Sequence, residues 1–339
     1  MTQNEAPPTL DDVARLAGVS TATVSRCVNT PEKVSAPTLR RVEAVIEQTG
    51  YTPNFAARVM AAKRSYTIGA IIPTMDNAIF ARGLQAFQEE LHEHGYTLLV
   101  SSSAYDPSAE AEQIRTLVAR GADGLLLIGH DRDPAIYDYL SRQNVPALVA
   151  WSYLGDTPTP SIGFDNRAAM RALAEQVIDM GHRKIAMISG ISANNDRARL
   201  RIDGVKDAMS AHGISPDTLT VEEVPYDVSA GAKAFMAVMA NTPTVVLCGN
   251  DVLAAGALRA ARSLGLTVPD DISITGFDDL ELAQVVFPKL TTVRVPHQQM
   301  GRLAAQELIA MITEKRAGNS TKLDATIIHR GSARPLNKW

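Results

Sequence analysis

The stretch TLDDVARLAGVSTATVSRCVNTPEKVSAPTLRRVEAVIEQTGYTPN, residues 9–54, decides how this chain is read. Its apolar positions recur at helical spacing in three short blocks, separated by polar caps and glycines. Thr9 stands ahead of the first block with Asp12 three residues on, the spacing of a capping box. Leu10, Val13, Ala14 and Ala17 then share one face, and Gly18 ends the helix. Ser20 opens a second helix. At about 100° per residue, Val24, Cys27 and Val28 fall on one side of it, while Ala22, Ser25, Arg26 and Asn29 fall on the other. Ser35 caps a third helix, with Leu39, Val42, Val45 and Ile46 inward and Gly50 at its end.

Two helices joined by a tight turn at Gly18, Val19 and Ser20 form a helix-turn-helix, whose second helix fits a major groove. A groove-facing side must be polar and short-chained so that the backbone approaches the base edges. Arg26 adds a fork of donors suited to guanine or phosphate. Ser20, Thr21, Thr23 and Ser25 suit phosphate oxygens as well as bases. An ordinary three-helix bundle with a solvated face has the same periodicity. Charge does not separate the two readings, since residues 1–64 hold eight Lys/Arg against six Asp/Glu, a net +2.

The wording of the motif separates them. TLDDVARLAGVS, ATVSRCVN, VSAPT and GYTPNFAAR resemble the head of the LacI/GalR family of bacterial transcription repressors across its whole length. The resemblance implies that Thr21, Ala22 and Arg26 read bases. It implies that Ser20, Thr23, Ser25, Asn29, Ser35, Thr38, Tyr51 and Asn54 mainly grip the DNA backbone. After Pro53, residues 54–62 are too few for a helix stable alone in water, the margin being about 12–15 residues. In the family this is a hinge helix that pairs across a dimer and wedges a side chain into the minor groove. Ala57 and Met60 are its DNA-contacting positions here, Met60 standing where the wedge is usually Leu.

The 339 residues exceed one domain length, and 45% hydrophobic content is ample for a core. The chain carries a formal −4, so the part beyond residue 64 carries −6. Cys27 and Cys248 lie far apart, which argues against disulfides and thiolate zinc sites. No stretch has transmembrane length and the start lacks a signal peptide, so the expected location is cytoplasmic, with no membrane partner.

From Tyr66 onward strands alternate with helices. Apolar runs at 68–72, 96–101, 124–128 and 145–151 form one series. Runs at 185–189, 219–224, 245–248 and 272–276 form a second. Helical patterns fall at 80–94, 109–120, 134–143, 167–180, 199–212, 229–240, 252–264 and 298–315. The expected fold is α/β: a helical head, then two lobes of doubly wound parallel sheet. The same family has this periplasmic-binding-protein-like core, in which the chain crosses three times between lobes. The crossings are expected near 160–163, 289–292 and 322–325. The domains are then a head at 1–53, a hinge helix and linker at 54–64, and an effector-binding core at 65–339. Lobe one takes 65–161 and 292–322, and lobe two 162–290 and 324–336. A strand-like 326–330 without a heptad tail after it points to a homodimer, hence to a pseudo-palindromic operator in double-stranded DNA.

Ligands of doubly wound sheets bind at the carboxyl ends of the strands. There Arg201, in DRARLRIDG, matches the family's ligand-clamping arginine, and Asp278, in ITGFDD, its acid. Asn250, in CGND, aligns with another polar contact. Phe80 and Trp151 occupy positions that often pack against ligand. An arginine fork beside an acid that accepts from two hydroxyls suits a sugar, sugar acid or similar polar metabolite. Arg199 and Arg201 cannot both face inward from one helix, and Arg199 is assigned to an ion pair. Asp279 is an alternative helix cap to Asp278. Phe164 and Asp165, in SIGFDN, lie at the lobe junction. Val228 stands where the family often has an aromatic ring, which argues against stacking of a purine or a large sugar ring. An enzyme would need a GxGxxG after a strand, a P-loop or a GxSxG, and none occurs. His130, His182 and His297 have no metal spacing. No catalytic residue, cofactor or metal is expected.

Overall fold

The computed structural model describes residues 7–52, 64–76, 78–155 and 157–336. It divides into two compact units, Met1–Ser65 and Tyr66–Trp339. In the first, α1 (Leu10–Ala17) starts on the expected capping box. The Asp12 N–H donates to Thr9 Oγ1 at 3.3 Å, and the Thr9 N–H donates to Asp12 Oδ2 at 3.0 Å. Gly18 stops it in the left-handed region at φ 63°. Ser20 caps α2 (Thr21–Asn29) by accepting from the Thr23 N–H at 3.2 Å. Ser35 precedes α3 (Ala36–Thr49), but it makes no side-chain cap: its hydroxyl donates to Thr38 Oγ1 at 3.0 Å instead. Val13, Ala14, Ala17, Val24, Cys27, Val42 and Tyr51 form the core, with Leu39, Val45 and Ile46 packed against it.

In the second unit β1 (Thr67–Ile72), β2 (Thr97–Ser102), β3 (Gly124–Ile128), β4 (Ala147–Ala150) and β5 (Ser161–Gly163) are parallel. With β11 (Thr321–Lys322) they make a sheet of order β11-β5-β4-β3-β1-β2. Every residue of β1 and β3 is buried, as continuous apolar strands require. The connecting helices are α4 (Ala81–Glu93), α5 (Pro107–Ala119) and α6 (Pro134–Arg142). A later helix, α12 (His297–Glu314), lies close on α4: a Cβ on Gly301 would strike the Gly83 carbonyl oxygen.

A second parallel sheet has order β7-β6-β8-β9, from β6 (Ile185–Gly190), β7 (Thr220–Val224), β8 (Val245–Cys248) and β9 (Ser273–Thr275). Around it lie α7 (Asn166–Asp179), α8 (Asp196–Ala211), α9 (Val228–Val238) and α10 (Asp251–Ser263). Each of the eight apolar runs is a strand, and the α/β class holds. The sequence reading missed three-residue strands. One is β5. Another is β10 (Thr292–Arg294), which pairs antiparallel with β12 (Thr326–Ile328) as a separate ribbon. It also missed α11 (Leu282–Val285), a single turn. Pairs this short are fixed by tertiary register rather than by periodicity. Among the described residues no helix is long and apolar enough to cross a membrane.

Candidate functional site

Two sites emerge, one in each unit. In the first, α2 is capped, short and two-faced. Val24 and Cys27 are buried in the head core, and Ala22, Arg26 and Asn29 are exposed on the other side. Thr21, Thr23 and Ser25 are half-buried between them. The Ser20 and Thr23 hydroxyls lie 2.9 Å apart, and Asn29 Nδ2 donates to the Ser25 carbonyl at 2.9 Å. These local bonds hold the small polar side chains against the helix and leave Arg26 as its projecting charge. The Tyr51 ring is core here, only 8% exposed. Asn54, Ala57 and Met60, and with them the expected hinge helix, lie outside the described residues.

The second site lies at the carboxyl ends of the strands in the larger unit. Arg201, on the buried face of α8, is fixed from several sides. Nε donates to Asn166 Oδ1 at 2.9 Å and Nη1 to the Gly249 carbonyl at 2.5 Å. The guanidinium lies 3.8 Å from the centre of the Phe277 ring, and Nη2 stands 3.6 Å from Asp278 Oδ1. Asp278 follows β9 in the left-handed region at φ 99° and is 1% exposed. Neither of its carboxylate oxygens has a hydrogen-bond partner among the described residues. Asn250 caps α10, its Oδ1 accepting from the Leu253 N–H at 2.9 Å, while its buried Nδ2 has no hydrogen-bond partner among the described residues.

Arg201 and Asp278 are also joined through buried intermediates. Asn166 Nδ2 donates to the Trp151 carbonyl at 3.0 Å, and Trp151 Nε1 donates to His297 Nδ1 at 3.3 Å. His297 Nε2 lies 3.3 Å from the Asp278 carbonyl, so it carries the proton and donates there. Burial holds the His297 imidazole below its usual pKa, in keeping with this neutral tautomer. Trp151 and Phe80, expected beside a ligand, are buried and pack edge-on with centroids 5.3 Å apart.

Arg199 pairs with Asp131 of the first lobe at 2.6 Å, which leaves Arg201 as the inward arginine of the two. Asp279 caps no helix: Arg294 holds it at 2.7 Å and Arg330 at 2.6 Å. Asp196 bridges the lobes, accepting from the His130 N–H and the Ser152 hydroxyl, each at 2.9 Å. Burial opposes its ionisation, but Arg197 and those donors keep it below the usual carboxylate range. Asp251 accepts from the Leu280 N–H and the Thr292 hydroxyl, each at 2.7 Å. Burial, and then the charge of Asp278, push its pKa up to about 8. Asp165 caps α7 and lies 3.7 Å from Lys322.

A cavity of about 710 Å³ opens beside these groups, lined among others by Thr74, Tyr105, Ile191, Asn195, Tyr226 and Val228. Tyr105 follows β2 and Tyr226 follows β7, and their ring centroids are 6.1 Å apart. Burial pushes both phenols up. Sequence reading missed this pair. The available signal was position, since each follows the carboxyl end of a strand, and Tyr226 stands two residues before the expected aromatic position at Val228. A larger hollow of about 890 Å³, lined by Asp179, Arg183 and Leu336, is open to the surface and includes none of these buried charges. Among the described residues, no three His, Cys, Asp or Glu side chains gather to hold a metal.

A helix-turn-helix unit with a polar exposed face on its second helix, joined to an α/β unit with a cavity at its strand ends, has the architecture of a DNA-binding regulator. Residues 9–54 match the bacterial regulatory proteins of the lacI family, and residues 174–333 match the periplasmic binding protein-like domain. The HTH-type transcriptional repressor CytR of Escherichia coli (strain K12) is 32% identical over 338 residues, covering 98% of each chain. The lac repressor dimer bound to operator and the anti-inducer ONPF superposes with a TM-score of 0.85. It is 29% identical and covers 97% of this chain and 100% of that one. The complex of the regulator CelR with cellobiose has a TM-score of 0.71 at 26% identity, covering 96% and 100%. The chain belongs to the LacI family of bacterial transcription regulators, and it is not an enzyme.

Proposed function

We propose that this regulator represses transcription as a homodimer on a pseudo-palindromic operator, controlled by a small sugar, sugar acid or similar metabolite in the crevice. In this reading a head at 1–53, a hinge helix and linker at 54–64 and an effector-binding core at 65–339 divide the work, and the protein works in the cytoplasm. The observation that carries the reading is the unsatisfied, fully buried Asp278 carboxylate beside Arg201, at the strand ends of a chain whose head exposes Ala22 and Arg26. Arg201 balances the charge at 3.6 Å, but among the described residues no group donates a hydrogen bond to the carboxylate, and a polyhydroxylated ligand supplies such donors. Asp196, His130 and Ser152 tie the two lobes at the crevice, so a ligand that changes the lobe angle acts on the rest of the molecule. Operator and ligand affinities are then coupled reciprocally.

The operator is first selected from random duplexes by the full-length protein. Arg201→Ala is then expected to bind that duplex like the parent and to lose the change in affinity produced by ligand. An unaltered ligand response in Arg201→Ala removes Arg201 from the effector site.

A further inference from the structure

The six-stranded and four-stranded sheets are joined by contacts of two kinds. Arg82 with Glu281, Arg199 with Asp131 and Lys322 with Asp165 are partly exposed ion pairs between groups that keep their charges around neutral pH. The other kind is buried and runs through His297. Trp151 follows β4 of the six-stranded sheet, and Asp278 follows β9 of the four-stranded one. Both stand in the left-handed region, at φ 62° and φ 99°. A bulky residue there is strained and persists only where its surroundings fix it. Asn166 holds the Trp151 carbonyl and His297 holds its indole, while a Cβ on Gly83 would strike the indole ring.

The two bonds of His297 allow one protonation state. An indole N–H only donates, so Nδ1, 3.3 Å from it, must accept. A carbonyl only accepts, so Nε2, 3.3 Å from that of Asp278, must donate. A second proton would sit on Nδ1 and face the indole N–H, donor against donor, where both rings are almost fully buried. We infer that Trp151 and His297 form a proton-gated tie between the two sheets: the neutral imidazole holds the indole and the Asp278 turn together, and the imidazolium parts from the indole. Burial opposes the proton most strongly. The Asp278 carboxylate, on the turn after β9, favours it, and Arg82 of α4 and Arg201 of α8 oppose it. The tie is therefore closed at neutral pH and opens below the usual imidazole range. His297 is a positioning residue here, acting through Trp151 and Asn166 on Arg201. The gate itself goes beyond ligand control. Only its effect on operator binding rests on the coupling proposed above.

The chain has two tryptophans, so in full-length Trp339→Phe the only indole is Trp151. An imidazolium quenches a neighbouring indole, and Trp151 emission then reports the state of His297. On titration from about pH 8 to about pH 5.5 the emission should change in one reversible step with its midpoint below about 6.5. Adding His297→Gln, whose amide offers one acceptor and one donor and does not titrate, should remove the step. The step in Trp339→Phe alone keeps the test decisive for a His297→Gln that folds poorly. Operator binding is compared at the same two pH values in the parent and in His297→Gln. The head holds no histidine, and the parent's affinity should change by about fivefold or more beyond any change in the variant, the lower end of allosteric coupling. No step, or a step that survives in His297→Gln, overturns the gate. A step accompanied by the same pH dependence of operator binding in both proteins overturns the tie as an input to the head. A persisting step in a protein whose ligand response survives Arg201→Ala removes the crevice reading and leaves the gate standing.

Discussion

The head and the crevice solve opposite problems with the same residue types. In the head, polar side chains satisfy one another locally: Thr9 with Asp12, Ser20 with Thr23, Asn29 with Ser25. Everything is self-sufficient, and the projecting Arg26 stands ready for an external surface. In the crevice, buried polar groups from distant parts of the chain converge, and the Asp278 carboxylate oxygens, Asn250 Nδ2 and Ser189 Oγ make no hydrogen bond among the described residues. A satisfied exposed surface reads DNA by shape and charge. An unsatisfied buried one is, in the proposed reading, completed by a ligand. The contrast assigns stability to the head's local bonds and specificity to the crevice's missing ones.

The sharpest way to break that contrast is pH. Asp251, raised to about 8, binds its proton more tightly folded than unfolded, where a carboxylate titrates near about 4. Its contribution is fully present below about pH 4 and is lost as pH rises through about 8. Asp251→Asn keeps a neutral group of that shape, so the core's stability should depend less on pH than the parent's across this window. Identical slopes in denaturant titrations would show that Asp251 is ionised in the folded protein. Next comes Gly301→Ala, whose Cβ meets the Gly83 carbonyl oxygen. It should destabilise the core by about 1–3 kcal/mol or more. Gly18→Ala in the head meets nothing and carries only the left-handed backbone penalty, about 1–2 kcal/mol. Equal shifts in the two variants would remove the steric reading of Gly301.

Arg26→Ala should lose about 1–3 kcal/mol of discrimination at one base pair. An unchanged footprint and affinity on the selected operator would mean that α2 presents another face. The smallest effect is Thr9→Ala, about 1 kcal/mol of head stability by chemical denaturation. The Thr9 hydroxyl, then Arg15, hold Asp12 down at about 2. The stabilisation from that box is therefore present above about pH 4 and fades as pH falls through about 2. A head whose acid unfolding is the same with and without Thr9 would contradict it.

Local signals were legible in the sequence and distant ones were not. Caps, turn glycines and helical spacing each span a few residues, so α1, α2 and the Gly18 stop could be read directly. Ser35 stands at the N-cap position that spacing indicates, but its hydroxyl donates to Thr38 Oγ1 and accepts no backbone N–H, a side-chain orientation that spacing does not fix. Long buried strands announce themselves by continuous apolar runs, whereas β5 and β10 exist because a neighbouring strand passes by. In the crevice, Arg201, Asn250 and Asp278 stand together because each follows or faces a strand end of the second sheet. Tyr105 and Tyr226 come from different sheets, and nothing in either segment reveals the other. Phe80 and Trp151 illustrate the converse: an aromatic residue beside a cleft and one in the core look alike in sequence, and these two are buried against each other.

The central claim is that occupancy of the crevice governs DNA binding by the head. It is tested most directly by titrating the selected operator with full-length parent and Asp278→Asn, with and without a sugar or sugar acid that raises the parent's melting point. The parent's operator affinity should change with ligand by about 5–150-fold, the usual range of allosteric coupling. The variant should bind the operator as tightly as the ligand-free parent and show no change when ligand is added. An equal ligand-driven change in Asp278→Asn would contradict the claim.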